Sequence, residues 1–174
     1  MPKAPLPGAV QEERSVDRLL AAARDAIAEV PFCWVVTPTE DGLGANARAV
    51  RDCSDDAGGR GDVWTRWFLA LPGSRKAAEI RRVGRATLAY QHGSGSAYVT
   101  LVGRAELVDD RSVVTAGLRA VDDPDGSRAA RLVAVKVTVD RVEVHVRGVT
   151  AEPWGRGRTL LERDGDGAWR LLTD

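Results

Sequence analysis

Two strand-like runs, residues 85–91 and 97–108, are separated only by a turn built on Gly93-Ser94-Gly95. A connection this short cannot house a crossover helix, so the two runs must pair antiparallel. The same arrangement recurs along the chain. Residues 32–37 are aromatic and β-branched, and they return through Glu40-Asp41-Gly42 into residues 43–53. Residues 63–71 make a third strand, heavy in tryptophan. Residues 132–139 and 142–146 alternate apolar and polar as two further strands. Residues 159–163 and 168–172 form a last hairpin around Asp164-Gly165-Asp166-Gly167. Gly103 interrupts the long fifth strand and predicts a bulge or bend there.

Helices punctuate this pattern. Residues 15–29 carry Val16, Leu19, Leu20, Ala23 and Ile27 at helical spacing, and Pro31 stops the run. Asp110 is placed to cap a helix that turns Val113, Val114, Gly117, Leu118 and Val121 inward. There is no regular strand-helix alternation and no Gly-x-Gly-x-x-Gly run after a strand, which argues against a dinucleotide-binding Rossmann fold. The expectation is a mainly β protein, an antiparallel β-barrel with flanking helices. Residues 14–174 read as a single domain. Residues 1–13, with three prolines before Gly8, read as a disordered lead-in without the apolar stretch of a signal peptide.

The 25 basic and 25 acidic residues cancel, which argues against a nucleic-acid surface or a polybasic membrane surface. No apolar stretch approaches the roughly 20 residues of a membrane span. Cys33 and Cys53 fall at the ends of apolar runs without metal or redox spacing. They read as reduced, packed thiols of a cytoplasmic protein. His92 and His145 are far apart, and no metal site is expected. Trp64, Trp67 and Trp154 could line a ligand edge, but packing is the favoured role for such residues.

One corner carries chemistry. Leu71-Pro72-Gly73-Ser74-Arg75-Lys76 reads as a strand end, a tight corner and a helix starting on Ser74. Ser74 is a good N-cap, so free backbone N–H groups and the positive end of the helix dipole meet two permanent cations, Arg75 and Lys76. Cations in a first turn oppose the dipole. A phosphate would resolve the conflict, because helix N-termini, arginine forks and lysine point charges all bind it.

These residues, in this order, resemble the pyridoxamine 5′-phosphate oxidase-like family of flavin-binding split barrels. Ser74-Arg75-Lys76 matches the family's Ser-Arg-Lys phosphate signature. Ala47-Arg48-Ala49-Val50-Arg51 is similar to its Arg-x-Val strand along the flavin. Gly103-Arg104-Ala105-Glu106 follows as in the family. Val142-Glu143-Val144-His145 and the segment 158–169 resemble its C-terminal strand and hairpin.

The resemblance implies an antiparallel FMN-binding split barrel and a homodimer with the cofactor at the subunit interface. Arg75, Lys76 and the Ser74 helix start would hold the FMN phosphate. Arg48 and the backbone of Ala49 and Val50 would border the ring or ribityl chain. Leu69 and Ala70 would offer backbone contacts, with Ala70 standing where the family often has a hydroxyl. Tyr98 occupies the place of a ring-contacting Gln. His145, in place of a Trp, and Arg158 would reach the flavin from the partner subunit.

The departures are as informative as the matches. Trp154 and Arg156 stand where true oxidases carry the Arg-x-His pair that grips pyridoxal phosphate, and Cys53 replaces a lysine. The expected protein is therefore an FMN-dependent oxidoreductase acting on a small-molecule substrate other than pyridoxamine phosphate, similar to the general-stress branch. An F420-dependent reductase of the same fold and a non-catalytic flavin-binding protein stand as alternatives. No side chain declares itself as a catalytic acid or base.

Overall fold

A computed structural model describes residues 7–56, 62–118, 126–151 and 159–172, with only the backbone course for residues 7–14. The elements run α1 (Pro7–Ala28), β1 (Phe32–Pro38), β2 (Ala45–Arg51), β3 (Thr65–Ala70), α2 (Arg75–Val83), β4 (Arg85–Gln91), β5 (Ala97–Val108), α3 (Arg111–Gly117), a 3₁₀ turn (Ala129–Arg131), β6 (Val133–Val146), β7 (Leu160–Arg163) and β8 (Trp169–Leu172). The eight strands form one antiparallel sheet in the order β2-β1-β4-β5-β6-β7-β8, with β3 paired to β6. No helix among the described residues is long and apolar enough to cross a membrane.

Two expectations need correction. Helix α1 begins at Pro7, ahead of the Ser15 that apolar spacing marks; proline is tolerated there because first-turn N–H groups have no intrahelical partner. The two strands read from residues 132–139 and 142–146 are one 14-residue strand, β6. The polar break at Asp140-Arg141 is a bulge, not a turn. Val102 lies opposite Arg141 and Gly103 opposite Val139, so Asp140 is the extra residue. The bulge falls where β6 changes its outer neighbour: residues 133–138 pair with β3 and residues 141–143 with β7. Gly103 is required at this crossing, since a Cβ there would lie 2.4 Å from the Thr138 carbonyl oxygen.

Side chains alternate between a buried inner face and an outer face. Cys33, Val35, Leu88, Tyr90, Val99, Leu101, Val142 and Val144 fill the inside, where Val16, Leu19, Ala23 and Ile27 of α1 join them. A smaller cluster, Trp67, Val113, Val114 and Ala134, packs α3 against β3 and β6. Trp64 and Trp67 are buried, in keeping with packing roles, and Trp64 meets Trp169 edge-on at 5.2 Å. Cys33 and Cys53 are free and buried.

Strands β2 and β3 share no ladder, which leaves the barrel split. Just past β2, the Cys53 N–H donates to the Trp67 carbonyl at 2.8 Å, and the Trp67 N–H donates to Ser54 Oγ at 2.9 Å. Asp52 adds a buried ion pair with Arg66 and accepts from the Tyr90 hydroxyl at 2.6 Å.

Candidate functional site

The corner after β3 folds as its residues require. Ser74 is extended (φ −72°, ψ 154°) and its side chain accepts from the Ala77 N–H, so it caps α2. Gly84 ends the helix in the left-handed region (φ 67°), and its N–H donates to the Ile80 carbonyl. Arg81 and Arg82 suit the negative end of the helix; Arg75 and Lys76, with no acid in the first turn, oppose the positive end.

The two first-turn cations point to different surroundings. Arg75 is exposed and lines a cleft of about 480 Å³ with Thr39, Glu40, Asn46, Glu79 and Arg82, between α2 and the β1–β2 hairpin. Lys76 is half-buried. Its Nζ donates to the Leu69 carbonyl at 3.3 Å and sits 5.5 Å from the centre of the Phe68 ring. Burial, and then the positive charge of Arg48, hold the Lys76 pKa below the ordinary lysine range. Neither Arg75 nor Lys76 forms an ion pair among the described residues.

Beside them lies a cluster that sequence reasoning missed. Glu79 is 5 % exposed, on the buried face of α2 with Ala77 and Ile80. Its Oε1 accepts from Asn46 Nδ2 at 2.7 Å. Its Oε2 accepts from the Thr37 hydroxyl at 2.5 Å and from Arg48 Nη1 and Nη2 at 3.2 and 3.1 Å. Arg48 Nη1 also donates to Thr37 Oγ1 at 2.9 Å. Burial pushes the carboxyl pKa up, but hydrogen bonds from Thr37, Arg48 and Asn46 outweigh it and hold the pKa below the usual value. The sequence signal was a lone acid interrupting the apolar stripe of a short helix.

Of the candidate residues, Arg48, Leu69, Ser74, Arg75 and Lys76 gather around the start of α2 through these contacts. Ala70 is buried beside them on β3, and Val50 is buried on β2. Ala49 faces outward opposite Trp34. Tyr98 and His145 are brought together as a cross-strand pair, also on the outer face. His145 Nε2 lies 3.3 Å from Glu143 Oε1. Within one chain they stand on the face opposite Arg48. Arg158, Trp154 and Arg156 lie outside the described residues.

A family profile described as pyridoxamine 5′-phosphate oxidase matches residues 19–146. The chain belongs to the pyridoxamine 5′-phosphate oxidase family. Solved structures of similar fold include a Clostridium acetobutylicum protein related to general stress protein 26 of Bacillus subtilis, at 14 % identity and TM-score 0.61, covering 84 % of this chain and 95 % of that one. A Nostoc punctiforme protein described as pyridoxamine 5′-phosphate oxidase-related and FMN-binding has 14 % identity and TM-score 0.54, each chain covered in full (100 %). PhzG of Burkholderia lata, solved with tetrahydrophenazine-1-carboxylic acid, has 17 % identity and TM-score 0.57, covering 99 % of this chain and 98 % of that one. No curated protein sequence matches. The observed sheet, mainly antiparallel and not closed between β2 and β3, is the split barrel expected of a pyridoxamine 5′-phosphate oxidase family member.

The donors at the start of α2 suit a phosphate monoester. Ser74 caps the Ala77 N–H, the positive end of the α2 dipole lies at Arg75 and Lys76, and Lys76 is a partly desolvated cation with only a carbonyl as polar partner among the described residues.

Proposed function

We propose that this chain binds FMN non-covalently and serves as an oxidoreductase of small molecules. The observation that carries the reading is Lys76, a half-buried cation at a capped helix start whose only polar partner among the described residues is the Leu69 carbonyl. A charge held in this setting is costly unless an anion compensates it. Lys76 and Arg75 bind the phosphate, and the Leu69 carbonyl steadies Lys76. Bound flavin would supply hydride transfer; the chain supplies orientation and exclusion of water. Trp154 and Arg156, in place of the oxidase's Arg-x-His pair, support a substrate other than pyridoxamine phosphate.

A homodimer completes the reading. Phe32 and Trp34 are 58 % and 51 % exposed on the outer face, next to Ala47, Ala49 and Ala89. Such an apolar face suits a second copy. Tyr98 and His145 share this outer face, so His145 of the partner subunit could meet a ligand held by Lys76. The interface would bury more than about 2,000 Å² in total. Two buried free thiols support a cytoplasmic setting.

The test is a fluorescence titration of the purified protein with FMN and with riboflavin, together with the absorbance spectrum of any cofactor that co-purifies. FMN bound well ahead of riboflavin supports the reading. Equal or absent binding of the two overturns it, and a single band near roughly 420 nm would assign F420 instead.

A further inference from the structure

Arg48, Arg75 and Lys76 are three cations near one helix start, yet they are not equivalent. Arg48 is three-quarters buried, and its Nη1 and Nη2 donors turn to a carboxylate that is itself buried, Glu79. Thr37 bridges the pair: its oxygen accepts from Arg48 while its hydrogen goes to Glu79. Asn46 takes the other carboxylate oxygen. Every polar group of Glu79 is thus engaged, and the Arg48 charge is matched one for one. Arg75 and Lys76 have no such match among the described residues.

We propose that Glu79 is a specificity-determining residue that neutralises Arg48, so that phosphate recognition rests on Arg75 and Lys76 while Arg48 serves uncharged parts of the cofactor. This deepens the FMN reading and rests on it. The alternative is that Arg48 is itself a phosphate clamp and Glu79 only orients it. The two arrangements differ in the charge that a phosphate meets. If Glu79 cancels Arg48, removing the carboxylate charge adds a free cation to the corner. If Glu79 orients Arg48, removing it loosens a phosphate ligand.

The quantity to measure is phosphate discrimination, the ratio of the riboflavin Kd to the FMN Kd. A fault in packing moves both affinities together and leaves the ratio unchanged. In Glu79→Gln, which keeps the size and most of the hydrogen-bonding capacity, the ratio should rise at least about fivefold, the scale of one added unit charge screened as in bulk water. In the double variant Arg48→Gln with Glu79→Gln, the ratio should return to the wild-type value. The double variant leaves no uncompensated buried charge, so it reports even if the single one folds poorly. A ratio that falls in the double variant, or stays fixed in Glu79→Gln, overturns the proposal. Failure of the wild-type protein to prefer FMN over riboflavin would instead remove the cofactor reading itself.

Discussion

Asp52 and Arg66 form a buried ion pair across the gap where β2 and β3 share no ladder, with side-chain exposures of only 6 % and 8 %. The pair is well provided. Asp52 Oδ2 receives Arg66 Nε at 3.1 Å and the Tyr90 hydroxyl at 2.6 Å; its Oδ1 receives the Ser54 N–H at 2.9 Å. It ties the two sides of the split in place of strand pairing. Arg66→Met would leave Asp52 charged and buried, and should cost about 3–5 kcal/mol. Tyr90→Phe removes one hydrogen bond to a charged group and should cost about 1.5–3 kcal/mol. Urea denaturation measures both; losses under about 0.5 kcal/mol, the level of ordinary surface changes, would mean that the pair does not hold the seam.

Arg75→Ala with Lys76→Ala should weaken FMN binding by about 3–6 kcal/mol, since each hydrogen bond to a charged group contributes about 1.5–3 kcal/mol. Riboflavin affinity should change little. Calorimetric titration with both ligands gives the answer, and an unchanged FMN Kd would move the phosphate away from this corner.

Lys76 also predicts a pH dependence. Burial and Arg48 lower its pKa in the flavin-free protein, so it loses its proton at a lower pH than an ordinary lysine. A phosphate favours the charged form. FMN affinity should therefore decline as pH rises through the lowered Lys76 pKa, while riboflavin affinity stays level. Without flavin the sign is opposite for stability: above the folded-state pKa the unfolded chain binds more protons, and Lys76 ceases to oppose folding as pH rises. Lys76→Met should raise the melting temperature of the flavin-free protein slightly and lower FMN affinity. A flat FMN profile between pH 7 and about 10 would contradict this assignment.

The thiols should be inert in the native state. Burial, followed by the charge of Asp52, pushes Cys33 up to about 12. Burial, opposed by Arg51, pushes Cys53 to about 11. Thiolate is scarce near neutral pH at such values. An aromatic disulfide reagent should label neither residue in the folded protein and both after denaturation. Rapid labelling of the native protein would show that the barrel end at Cys33 and Cys53 opens.

Trp34 tests the proposed assembly. It stands on the outer face between Ala49 and Ala89. Trp34→Glu should give a monomer by light scattering where the wild type gives a dimer, and flavin affinity should fall with it. A folded variant that stays dimeric would place the interface elsewhere.

Much was legible in the chain itself because it rests on local rules. The Gly93-Ser94-Gly95 turn makes β4 and β5 antiparallel neighbours, Ser74 and Asp110 cap α2 and α3, and Gly103 marks the bulge. Each depends on residues within one turn or one strand. The same local reading split β6 in two, because a bulge and a turn both show as a polar break, and only the partner strand tells them apart. What the tertiary structure alone decided are the meetings across elements. Glu79 joins Thr37, Asn46 and Arg48 over separations of 42, 33 and 31 residues. Whether they meet depends on the register of β1 with β2 and on the rotation of α2 above them. No periodicity within a strand or helix records that angle, so the sequence marks Glu79 as an acid on the apolar side of α2 but not as the partner of Arg48.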